Sequence, residues 1–130
     1  MKLSLAENLF DNIPAIVAEE MFTTLFQAND VRIERIVSEG HASPPEFWCD
    51  QDRNEWVMVL EGSAAVQFDR DAEPVTLRRG SYLNIPAHAK HRVVWTDPSQ
   101  KTVWLAIHYR KGGVAFTFSC ASASLPPASR

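Results

Sequence analysis

The chain alternates short apolar runs with turn residues at roughly ten-residue spacing, the pattern of an all-β sandwich or barrel. Residues 21–27 are rich in Phe and Thr. In 31–38, Val31, Ile33, Arg35 and Val37 share one face of a strand and Arg32, Glu34 and Ile36 the other. Residues 40–45 break the chain, and 47–51 is predicted as a short aromatic strand. Further strands are predicted at 55–60, 64–68, 75–77, 82–85, 91–95 and 102–109, with a candidate edge strand at 114–119. Gly62, Gly80, Pro86 and the polar stretches 69–73 and 96–100 separate them. Strand 55–60 sets Glu55, Val57 and Val59 against Trp56, Met58 and Leu60. Both faces are apolar apart from Glu55, whereas a strand with one wet face would show a polar row. The Trp56 face is therefore expected to be covered, either by residues 1–20 or by a second copy in a homodimer.

The start, N-L-F-D-N-I-P-A-I-V-A-E-E-M-F, is apolar but broken by Pro14. It reads as an arm packed on the body, with a short helical turn. The expected division is 1–30 for arm and first strand, 31–119 for the barrel, and 120–130 for a Ser/Ala/Pro-rich tail that frays. The 130 residues are enough for one domain with a core. Net charge is −3 and the pI about 5.8, with no clustered Lys/Arg surface to meet nucleic acid or an anionic membrane. Two cysteines make no disulfide framework. No run approaches a membrane span, and no leader is read in M-K-L-S-L-A-E-N. A reducing cytoplasm is the expected compartment.

Two segments carry chemistry. The first, E-W-V-M-V-L-E-G, places Glu55 six intervening residues before Gly62. The second, G-S-Y-L-N-I-P-A-H-A-K-H, runs from Gly80 through Pro86 to His91. Together they resemble the two signature motifs of the cupin family, and the resemblance spans Val31 to Tyr109. It implies a jelly-roll barrel in which Glu55 and His91 point inward and commonly share a metal ion. The chain departs from the pattern in three places. Trp48, Cys49, Asp50 and Gln51 stand where two histidines precede the Glu; His88 replaces the second glycine; Trp95 replaces an asparagine. A bulky residue at position 88 would be strained if φ is positive there.

A divalent ion needs three or four donors converging within about 2.0–2.3 Å. The motif spacing leaves two registers. In one, Cys49 and Gln51 face inward beside Glu55 and His91. In the other, Asp50 does so, with Trp48 as a wall. The second makes one imidazole and two carboxylates, a set suited to Mn, Fe or Zn, so the expected metal set is Asp50, Glu55 and His91. Nickel is a further candidate ion. Gln51, Trp48, Tyr82, Trp95 and His41 are the expected ligand-binding neighbours, Trp95 because it shares strand parity with His91. His108 reads as a surface or hydrogen-bonded core residue, and Arg92 and Lys90 as outward-pointing. Three functions fit: a cupin that binds a divalent metal and a small organic ligand; a metal-free module for a small, carbohydrate-like molecule; or a metal-free isomerase or epimerase with His91 as general base.

Overall fold

The computed structural model describes residues 5–110; the candidate strand 114–119 and the tail 120–130 lie outside the described residues. Eight strands follow in order: β1 (Met21–Ala28), β2 (Val31–Ser38), β3 (Asn54–Glu61), β4 (Ser63–Phe68), β5 (Val75–Arg78), β6 (Tyr82–Ile85), β7 (His91–Thr96) and β8 (Thr102–Tyr109). They form two antiparallel sheets, one of five strands in the order β1-β2-β8-β3-β6 and one of three in the order β5-β4-β7. This is the all-β jelly roll the sequence implies. The predicted strand 47–51 is reduced to one bridge, Cys49 opposite His91. Pro44 and Pro45 before it lack ladder donors, and Glu46 takes a φ of 68°. No helix among the described residues is long and apolar enough to cross a membrane.

The sheets pack over Val57, Val59, Ala64, Val66, Leu77, Ile85, Trp104 and Ala106. Residues opposite one another in a ladder share a face, so register fixes what else points inward. Ile36 pairs with Trp104, Glu34 with Ala106, and Arg32 with His108; His108 in turn pairs with Glu55. The chain passes from β3 to β4 at Gly62, where φ is 86° and an added Cβ would meet Lys101 O and Thr102 Cα at 2.7 Å. Gly80 also has a positive φ, 89°, but open space around it.

Arg35 lies buried on the outer face of the large sheet. Its guanidinium donates to Leu9 O at 2.9 Å, to Asp11 O at 2.8 Å and to Thr23 Oγ1 at 3.2 Å. These bonds hold the N-terminal arm over β1 and β2. The arm makes a tight turn, Asp11 N donating to Asn8 O at 3.0 Å, instead of the expected helical turn; Asn12, at φ 62°, reverses the chain. Val17 N donates to Glu39 Oε1 and Lys101 Nζ to Ala15 O. Every one of these clips falls on the β1–β2 side or its flanking loops. On the β3–β6 side the outer face carries half-buried Trp56 and Met58, with Tyr82 stacked on Trp56 at 5.5 Å between ring centroids.

Candidate functional site

A cavity of about 230 Å³ opens between the sheets. Glu55 on β3 and His91 on β7 both line it, and both are buried. His91 Nδ1 lies 2.8 Å from Ala89 O. A carbonyl can only accept, so in the neutral ring the proton sits on Nδ1 and Nε2 keeps its lone pair. Nε2 has no hydrogen-bond partner among the described residues. Glu55 Oε1 accepts from Gln51 Nε2 at 2.8 Å, which fixes the carboxylate without neutralising it. Phe68 lies 6.1 Å from the His91 ring between centroids.

The Cys49–His91 bridge decides the register left open by the sequence. Cys49 N donates to His91 O at 2.7 Å and His91 N to Cys49 O at 3.1 Å. The two side chains therefore share a face, and Cys49 lines the cavity. Burial raises the thiol pKa, and the charges of Glu55 and Asp50 push it further in the same direction. Cys49 is thus a neutral thiol at physiological pH and a weak hydrogen-bond donor.

Asp50, expected inside, takes the opposite face because neighbours on an extended chain alternate. Its Oδ1 lies 2.8 Å from His88 Nδ1 on the exposed surface. His88 has a φ of 65°, so the position where the family motif carries glycine does adopt the left-handed region. The Asp50 pair and the bond from His88 N to Gln51 O, at 2.8 Å, hold it there. Trp48 also faces outward, with the Arg92 guanidinium 5.9 Å over its ring. Tyr82 is 65% exposed on the outer sheet face. Trp95 is 39% exposed and does not share the cavity with His91. The β4–β7 ladder pairs Val66 with Val93 but Ala65 with Trp95. Val94 is an extra residue in that ladder, and one extra residue inverts every side chain beyond it. Val93 takes the wall position instead. His41 accepts from Glu39 N at Nδ1, so Nε2 donates to Ala18 O at 2.9 Å; it clips the arm in place. Gln51 reaches the site through Glu55.

Sequence reasoning missed Glu20, Phe22, Ile36, Ser43, Phe47 and Val93, and Arg92, expected to point outward, also borders the cavity. No local signal marks them; their places follow from ladder register and from the turn of the 43–49 segment. Among the described residues no three His, Cys, Asp or Glu side chains are placed to hold a metal ion. With Asp50 turned away, the motif donors that remain are the His91 imidazole and the Glu55 carboxylate, and Glu20, the other carboxylate of the lining, accepts from Ser38 Oγ. That set does not fit a resident divalent ion.

Residues 34–108 match the family model for the Cupin domain. Solved structures similar to this chain include the following two. One is that of a "putative mannose-6-phosphate isomerase" from Ralstonia eutropha JMP134, 44% identical, with a TM-score of 0.80 over 83% of this chain and 100% of that one. The other is a cupin superfamily protein from Desulfitobacterium hafniense DCB-2, 20% identical, with a TM-score of 0.62 over 76% of this chain and 84% of that one. Among curated proteins none matches the chain.

Proposed function

The chain belongs to the cupin family, and from that premise we propose that its barrel binds a small organic molecule through hydroxyl groups, with Glu55 and His91 as the acceptors. One observation carries the reading. His91 presents a bare Nε2 lone pair to the cavity, and Glu55 lines the same space as a carboxylate steadied by Gln51. Acceptors that a bound ligand cuts off from water are costly to leave without donors, so a ligand that supplies O–H groups is favoured over one that does not. The reading routes nothing through a divalent ion. To test it, hydroxylated probes (phenols, alcohols and monosaccharides) are screened by thermal shift against wild type, His91→Ala and Glu55→Gln. Binding in wild type and its loss in both variants is expected. Equal stabilisation of all three proteins removes the reading.

A second reading, isomerisation without a metal, is favoured by the same tautomer. A neutral Nε2 can take a proton from a carbon beside a carbonyl and return it to the neighbouring atom, with no net redox change. The name given to the Ralstonia eutropha relative is compatible with it. Uptake of solvent deuterium into a bound probe distinguishes turnover from binding alone.

The outer face of β3 and β6 supports a homodimer. Trp56, Met58 and Tyr82 form an apolar strip there, to one side of the arm's clips. Wild type should sediment as a dimer and Met58→Glu as a monomer; a monomeric wild type ends this assignment.

A further inference from the structure

The cavity is unevenly furnished. Its walls are Ile36, Val57, Val66, Ile85, Val93 and Trp104. Phe22 and Phe47, also in the lining, are 59% and 49% exposed, so two aromatic side chains border both the cavity and solvent. The polar side chains are few, and most are already engaged. Glu20 accepts from Ser38 Oγ. Ser43 Oγ accepts from Val93 N at 3.0 Å. Arg92 Nη2 donates to Ser43 O and Pro44 O, at 3.1 and 3.2 Å, and the guanidinium lies over Trp48 on the outer side. What remains for a ligand is Glu55, His91 Nε2, the weak Cys49 thiol, the second Glu20 oxygen and the unpartnered Arg92 Nε.

This arrangement selects a chemical class. A sugar brings four or five hydroxyls, each of which would lose water against apolar walls for want of a partner. A sugar phosphate also brings an anion into a cavity lined by two carboxylates, Glu20 and Glu55, against one arginine whose Nη2 is already held by Ser43 O and Pro44 O. An apolar ring with one hydroxyl meets neither cost. A cavity of about 150 Å³ with such walls holds a benzene-sized molecule, so about 230 Å³ admits a substituted or two-ring one. We propose that the natural ligand is a neutral, compact aromatic alcohol of the phenol class, its ring between the aliphatic walls and Phe22 and Phe47 and its O–H on His91 or Glu55. This rests on the acceptor reading above and narrows its ligand.

The full-length protein is titrated calorimetrically with phenol, 2-naphthol, naphthalene, mannose and mannose 6-phosphate. We expect 2-naphthol to bind at least tenfold more tightly than naphthalene and than either sugar. Whichever of His91→Ala and Glu55→Gln removes the acceptor that the O–H meets should remove the preference for naphthol over naphthalene, and Phe22→Ala should weaken naphthol several-fold while leaving that preference. Circular dichroism verifies that each variant is folded, and Glu55→Gln carries the test if His91→Ala is not. Tighter binding of mannose or mannose 6-phosphate, lost in His91→Ala, overturns the phenol class but leaves the acceptor reading standing. Equal affinity for naphthol and naphthalene in wild type and in Glu55→Gln overturns both. No binding of phenol or 2-naphthol up to millimolar concentration overturns the phenol class.

Discussion

Two glutamate–histidine couples face the barrel interior, and they are finished differently. On the large sheet His108 stands opposite Glu55 in one ladder and opposite Arg32 in the other. Its Nε2 lies 2.8 Å from Glu34 Oε1, both residues are buried, and Arg32 Nε lies 3.6 Å from the other Glu34 oxygen. That couple is closed: carboxylate and imidazole satisfy each other. Glu55 and His91 are open. Each is held from behind, by Gln51 and by Ala89 O, and keeps acceptor capacity toward the cavity. A buried histidine or carboxylate does not by itself mark a functional site.

The harshest way to break this contrast is to disrupt both couples together. Gly62 joins the strand of Glu55 to the sheet of His91. Gly62→Ala combines a positive φ with backbone at 2.7 Å from the new Cβ, so a loss of about 3 kcal/mol or more is expected in urea unfolding. Stability equal to wild type would show that the turn has another shape. Next comes the closed couple. Glu34→Ala leaves His108 and Arg32 without their shared partner and should cost about 2–4 kcal/mol, with ligand affinity little changed in the folded fraction. Glu55→Gln should do the reverse, lowering affinity with a stability change within about 1 kcal/mol. Similar stability losses in the two variants would erase the distinction between closed and open.

Two milder tests sharpen the open site. In a Cys120→Ser background, iodoacetamide reads Cys49 alone. Because burial and two carboxylates raise its pKa, the thiolate fraction, and hence the rate, should stay low at neutral pH and rise only above the ordinary thiol range. Rapid alkylation at pH 7 would mean an activated thiol and a different cavity. The smallest effect is expected of Asp50→Ala. Its pair with His88 is largely exposed, so stability should change by less than about 1 kcal/mol, and ligand affinity should not change. A strong loss of affinity would restore Asp50 to the cavity.

The period-two pattern and the turn residues located the strands, and three of them, Val31–Ser38, Tyr82–Ile85 and Thr102–Tyr109, agree end for end. The spacing Glu55–Gly62 and Gly80–Pro86–His91 identified the cupin barrel, a family the match over residues 34–108 bears out. Strand period and motif spacing are local properties, so a chain can display them before it folds. Which neighbour faces inward is not local. Cys49 rather than Asp50 meets the cavity because of a single bridge to His91, forty-two positions along. Trp95 leaves it because Val94 adds one residue to the β4–β7 ladder. A one-residue slip costs little to write in sequence and inverts every side chain that follows. Which of the motif's side chains meet in the hollow, Cys49 beside Glu55 and His91, was therefore decided by pairing between distant strands.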